Sequence, residues 1–505
     1  MAVFRTAFIR ISRRWVAVLA IACVPVFGLH AQDASTRLDG VGLIADVDLL
    51  ERAYNTLHPG LYRYSTPAMT AQRFDDLRLQ LRSGATLADS YLAFSRFAAT
   101  VRCGHTQANF YNQSPAVQKA LFESGSGRLP FHFRWLQGRM IVTRNGSSNP
   151  SLVPGTEVKA INGVPALTVL TRLLPLARAD GSNDAKRIAQ MEVRGEDQYE
   201  TFDVYLSLLF PQFGDSFQLQ IRSPHDSSDR SVVVSGLSLE ERKAMRGTEA
   251  GGTDAPAWSL EYPRPDVALL RMPEWALYDS KWDWRADLDA SFTRLVRDGT
   301  QTLVLDLRGN EGGLSVGDEL LAHLVSQPLA LVRYRQQVRY RAVPDALLPY
   351  LKTWDKSFKN WGDYARPYDE RYFTLTRWQP ADTADVIQPK APHYAGKVWV
   401  LVDAANSSAT FEFANQIKAS GLATLAGQTT GGNRRGINGS AFFFLTLPNS
   451  GIELDLPLVA QFPESEQPDA GVEPDVHVEI TAADVASGRD ALMDEVLKSS
   501  SQYKH

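Results

Sequence analysis

Two apolar runs, "TLVLDL" at 302–307 and "KVWVLVD" at 397–403, constrain this chain more than anything else in it. Each leads through a loop into a segment with helical spacing: "RGNEGG" into "LSVGDELLAHLVSQ", and "AANS" into "SATFEFANQIKAS". Short, continuous apolar runs read as buried strands, and buried strands need helices to cover them. Strands alternating with helices predict an α/β layer. "DVALLRM", "WRADLDASFTRLVRDG" and "ATLAG" extend the pattern on either side. This region runs from 258 to 500, which is half of a 505-residue chain, so further domains precede it.

The preceding half divides in two by periodicity. Residues 32–126 read as a helical region. "LIADVDLLERAYNTLHPGLY" has a helical stripe that stops at His58-Pro59-Gly60, and "TLADSYLAFSRFAATVR" has a threonine start. Residues 127–236 read as β-rich: "LPFHFRW", "RMIVTR" and "TEVKAI" are strands, and Asn162-Gly163 is a tight hairpin turn. A linker, 237–257, is rich in glycine, alanine and polar residues. At the start, Arg5, Arg10, Arg13 and Arg14 precede an apolar run from Trp15 to Leu29, with Ala31 as a small-residue cleavage point. Residues 1–31 therefore read as a signal peptide for export to the periplasm or beyond, with a lipoprotein site at Cys23 as the lesser alternative. No other stretch is long and apolar enough to span a bilayer. Removal of that segment leaves Cys103 alone, so no internal disulfide is expected. The net charge of −4 gives no basic surface for nucleic acid.

Three features carry chemistry. The loop "RGNEGG" exposes backbone N–H groups where negative charge can sit; it is neither a P-loop nor a dinucleotide fingerprint, and a tight turn or an oxyanion hole fits the same residues. Ser407 and Ser408 stand at a strand-to-helix junction. Either is a natural helix cap, and a nucleophile is displayed at the same place because the helix N-terminus favours a developing anion. Ser408 and Glu412 lie one turn apart, on one face. A serine nucleophile needs a base. Of the nine histidines, His105 sits in a Gly-His turn at a helix-to-strand junction, while the rest fall in tails, polar loops, strand faces or helix surfaces.

Taken together, "DLRGNEGG", "NSSATFEFANQIKASGLATLAGQTTGG", "CGHT" and "GVEPDVHV" resemble the C-terminal-processing (tail-specific) serine proteases, most closely their tricorn-core-like branch. The resemblance implies a crotonase/Clp-protease-like α/β catalytic domain, preceded by an N-terminal helical region and a PDZ-like β-rich domain that would hold peptide by strand addition. By position, Ser408 matches the nucleophile, and Ala409 and Gly312 match the oxyanion donors. Asn433 stands where one branch carries a lysine base. Arg434 and Arg435 beside it stay protonated and cannot replace that lysine. His105 matches the base of the tricorn-like branch. Glu464, Glu466 and Asp469 are candidates for its orienting carboxylate, with Glu466 preferred. Cys103 replaces an aspartate before Gly-His, which also admits a thiol nucleophile. The activity implied is hydrolysis of peptides or unfolded protein, with no metal or cofactor. The alternatives are a non-catalytic protein of the same fold binding peptides or small apolar ligands and, more remotely, an α/β-hydrolase, for which no Gly-x-Ser-x-Gly elbow exists.

Overall fold

The computed structural model describes residues 33–125, 127–226, 228–246, 255–378 and 386–501. The signal segment at 1–31 lies outside them. Helices α1 (Gly40–Leu57), α2 (Pro67–Leu81) and α3 (Leu87–Thr100) open the chain. Each has a side-chain cap, from Asp39, Thr66 and Thr86 respectively. Leu43, Val47, Leu50, Tyr54 and Leu57 form the buried stripe of α1, at the spacing that keeps one helical face inward.

An antiparallel sheet follows. Strands β1 (Phe131–Leu136), β2 (Arg139–Asn145), β3 (Glu157–Ile161), β4 (Ser216–Arg222) and β5 (Asp229–Ser235) lie side by side in chain order. Asn162 and Gly163 both have positive φ, 48° and 79°, as a two-residue hairpin turn demands. The β1 edge of this sheet is already in use. Phe133 exchanges hydrogen bonds of 3.0 and 3.2 Å with Val193, and Trp135 N–H donates to Glu192 Oε1 at 3.1 Å. The chain's own 192–193 segment thus covers β1, and the uncovered edge of this sheet is β5.

The α/β layer contains β6 (Ser259–Arg264), β7 (Val267–Arg271), α4 (Trp284–Arg297), β8 (Thr302–Asp306), α5 (Val316–Leu324), β9 (Lys397–Val402), α6 (Ser408–Ser420), β10 (Thr424–Gly427) and β11 (Val476–His477). Its strand order is β11-β10-β9-β8-β7-β6. Every pair is parallel except the edge pair β6–β7. All five residues of β8 are buried, which is why its middle, Leu303, Val304 and Leu305, is apolar without a break. Strands β8 and β9 are neighbours, so the glycine loop and the paired serines leave the same end of the sheet side by side.

A second antiparallel sheet, including Tyr334–Val338, Phe373–Leu375, Asn438–Thr446 and Glu453–Pro463, is made by excursions from this layer. It does not share the layer's core. Phe443, Leu454 and Val459 belong to one apolar cluster with Tyr54 and Phe94 of the N-terminal helices and with Phe131 and Leu219 of the middle sheet. The α/β layer packs around separate clusters. The turn bearing His105 follows α3 and reaches the second sheet, where its ring lies 5.7 Å from that of Phe442.

Candidate active site

Ser408 is the first residue of α6 and has φ of +52°, a left-handed conformation that a serine adopts only at a cost. Such a sharp strand-to-helix turn lifts a side chain clear of the helix it begins. Neither serine caps with its side chain. Ser407 is extended and makes no cap bond; its Oγ donates to Glu311 O at 3.3 Å instead. The turn is fixed from below by Asn406, fully buried, whose amide donates to Leu307 O and to Asn310 O. Thr410 Oγ1 donates to Asn310 O at 2.9 Å. These bonds join the loop after β8 to the loop after β9.

Gly312 completes the contact. Its φ is +99°, and a Cβ there would lie 2.7 Å from Ser407 O and 2.9 Å from both Ala409 N and Ser408 Cβ. Only glycine lets the loop approach the serine turn this closely. Ala409 N–H belongs to the first helical turn, where intrahelical acceptors are lacking. Gly312 N–H differs from the expectation, because it donates to Asn310 Oδ1 at 2.9 Å.

His105 is partly buried, with Nδ1 enclosed and unpartnered. Burial lowers its pKa; Asp180 opposes this and Arg178 adds to it. No hydrogen bond joins His105 to Ser408 among the described residues, but the two turns are linked. Arg178 donates to Gly104 O and lies 3.5 Å from Glu311, the residue before Gly312. Asp180 Oδ1 accepts Gly104 N–H at 2.8 Å, fixing the His105 turn through its backbone.

The three candidate carboxylates separate clearly. Glu464 pairs with Arg333 at 3.5 Å. Glu466 is exposed and has no hydrogen bond to His105 among the described residues; it lies on a polar segment that the strand ending at Pro463 carries to the surface. Asp469 turns inward, accepting from Ser182 N–H and Oγ, both at 2.9 Å, and from Asn433 Nδ2 at 2.7 Å. Asn433, fully buried, also donates to Asp180 O at 3.2 Å. At the position of the missing lysine, an amide thus braces the turn that braces His105. Cys103 is 1% exposed, receives Asn438 Nδ2 on its sulfur at 3.2 Å, and has a thiol pKa raised by burial. Lys418 is exposed and paired with Asp475. Glu412, one turn below Ser408, is pushed to about 7 by burial.

Sequence reading missed the 180–186 segment of the middle region. Asn183 Nδ2 donates to the carbonyls of Thr430, Gly431 and Gly432. Lys186, 3% exposed, donates to Glu311 Oε1 at 2.5 Å and to Ala405 O at 2.8 Å. Burial lowers the Lys186 pKa, whereas Glu311 is held at about 2: burial raises it, but Lys186 and Arg178 lower it further. The only cue in the sequence was a polar run, "ADGSNDAK", which reads as a loop and a helix start. Beside this segment a cleft of about 800 Å³ opens between the middle region and the glycine loop, reaching Gly312 and Ala405.

Residues 266–478 match the family model described as peptidase family S41. No curated protein sequence matches the chain. The fold is that of mature CPAF: the structure of its complex with lactacystin is 16% identical, covers 91% of this chain and 97% of that chain, and superposes with a TM-score of 0.60. Mature CPAF itself is 17% identical at the same coverage and TM-score. The photosystem II D1 C-terminal processing protease is 14% identical over 86% of this chain and 93% of that chain, with a TM-score of 0.37.

Proposed function

We propose that the chain, whose residues 266–478 match the model of peptidase family S41, is an exported serine endopeptidase acting on peptides or unfolded protein. One observation carries the reading: Ser408 stands at positive φ on the β9–α6 junction with Ala409 N–H and the glycine loop beside it. Ser408 attacks the peptide carbonyl. His105 takes its proton and returns it to the leaving amine. Ala409 N–H is one oxyanion donor, and Gly312 N–H is the second once it exchanges Asn310 Oδ1 for the substrate oxygen. Asp180, steadied by Asn433 and Asp469, orients the His105 turn in the place expected of Glu466. Two features support histidine over lysine as base: Lys186 is tied into an ion pair, and Lys418 is committed on the surface. Export rests on the basic and apolar start of the chain.

A fluorophosphonate label combined with a peptide assay tests this. Wild type should be labelled and active. Ser408→Ala should lose the label and roughly a million-fold in rate, the scale on which triad members act. Ser407→Ala should keep most of its activity, because Ser407 makes no cap bond. Binding of peptide without labelling or hydrolysis by wild type would make the chain a binding protein. Loss of activity on Ser407→Ala alone would move the nucleophile by one residue.

A further inference from the structure

Among the described residues, six carboxylates and four arginines line the cleft beside Gly312. Glu311 is matched by Lys186 and Arg178, and Glu192 by Arg134 and Arg194. Arg194 is shared further with Asp403. Glu196, Asp197 and Glu200 line the same cleft with no ion-pair partner among the described residues. Glu200 accepts Gly195 N–H at 2.7 Å and Asp197 accepts the Tyr111 hydroxyl at 3.4 Å. The Glu196 carboxylate accepts no hydrogen bond among the described residues, and its Oε1 lies 3.2 Å from where a Cβ on Gly309 would stand, at the base of the glycine loop. The two remaining arginines of the cleft donate to backbone carbonyls: Arg144 to Met245 O at 2.7 Å and Arg246 to Glu196 O at 2.9 Å.

A second observation points to the same place. His132 is 4% exposed and lines this cleft, and its Nε2 has no hydrogen-bond partner among the described residues. Its ring fills the space a Cβ on Gly195 would need, between Arg194 and Glu196. Burial, with Arg242 and Arg144 nearby, holds its pKa at about 4, so the ring is neutral at neutral pH. Carboxylates only accept hydrogen bonds, and a neutral imidazole nitrogen can accept one more. A guanidinium presents five donors in a planar fork, whereas an ammonium is a compact point charge. Glu196 and Asp197 keep exposed surface; partial desolvation raises Glu196 to about 7 against Arg194, and Asp197 to about 6 against Arg178 and Arg246.

We propose that Glu196 and Asp197, with His132 behind them, form a subsite for an arginine side chain of the peptide substrate, on the glycine-loop side of Ser408. The proposal rests on the reading of the chain as a peptidase, and binding measured without turnover separates the two. The full-length Ser408→Ala variant would be titrated by calorimetry with peptide sets that differ at one residue: arginine, its neutral isostere citrulline, lysine or glutamate. Arginine peptides should bind about tenfold more tightly than citrulline peptides at one position, the scale of one charge-assisted hydrogen bond. Lysine should fall between. Glu196→Gln in that background should remove the difference, and Asp197→Asn should reduce it. In the Ser408 enzyme, Glu196→Gln should remove the kcat/KM advantage of arginine over citrulline substrates by the same factor. Equal binding of arginine and citrulline at every position, or tighter binding of glutamate through Arg144 and Arg246, would overturn the subsite. Arginine-selective binding by a wild type that hydrolyses nothing would uphold the subsite and sink the peptidase reading.

Discussion

His105 has its pKa lowered by burial, and the Asp180 carboxylate limits the fall. A general base works when deprotonated, so a lowered pKa carries activity to lower pH. An unperturbed histidine would put the acid limb of kcat/KM near 6.5; here a single ionisation below that value is expected, with a plateau above it. Asp180→Asn removes the carboxylate that holds the pKa up, so its acid limb should move lower still. A pH–rate profile of wild type and Asp180→Asn checks both. A limb at 7 or above that is unmoved by Asp180→Asn would shift attention to Glu412, whose carboxyl is raised to about 7. Ser408 and Gly312 were legible as residue types because their chemistry is local: a serine at a helix start and a glycine in a loop before a helix. Glu466 is preferred on its place before "GVEPD" in the resemblance, and a place along a polar segment says nothing about which way that segment turns.

The two loops after β8 and β9 are joined from outside by the helix Asp184–Gln190. Lys186 reaches from it to Glu311 on one loop and Ala405 on the other. The first loop carries Gly312 and the second leads into Ala409 at the start of α6, so Lys186 ties together the backbone on either side of the space between them. Lys186→Met keeps the aliphatic stem and removes both bonds. It should cost about ten- to a hundred-fold in kcat/KM, as small misplacements of reacting groups do. Glu311 retains Arg178 and a half-exposed carboxylate that water can solvate, so the thermal midpoint should fall only slightly. Peptide assays beside a melting curve distinguish this from general unfolding. Unchanged kinetics would mean that Asn406 and Thr410 alone hold the loops in register. The strands and helices of the α/β layer were readable because each shows its period in sequence. The 180–186 segment has no period, and its role comes from three carbonyls and a carboxylate that the chain supplies more than a hundred residues away.

At the scale of the molecule, the catalytic half is not self-contained. Its second sheet lays Phe443, Leu445, Leu454 and Val459 against the N-terminal helices, all of them fully buried. Removing those helices would uncover that apolar face and take His105 with it. A fragment of residues 258–501 should therefore express as an aggregating or molten species, and the full chain should be the smallest active unit. Urea unfolding followed by tryptophan fluorescence and by far-ultraviolet circular dichroism checks the coupling. Coincident transitions are expected for the full chain, and none that is cooperative for the fragment. A soluble, cooperatively unfolding fragment would show that the α/β clusters suffice.

By itself the sequence determined the α/β layer, the hairpin turn at Asn162-Gly163 and the helix that starts at Thr86. Those features follow from short-range periodicity and turn chemistry, which a chain carries wherever it goes. Only the tertiary structure decided which carboxylate serves the histidine turn, that Gly312 N–H rests on Asn310, that β1 is covered by the chain's own Val193, and that Lys186 ties the two loops. Each of these depends on which polar group fills a buried donor or acceptor once water has left. That choice is made among residues far apart in sequence, by packing and not by pattern.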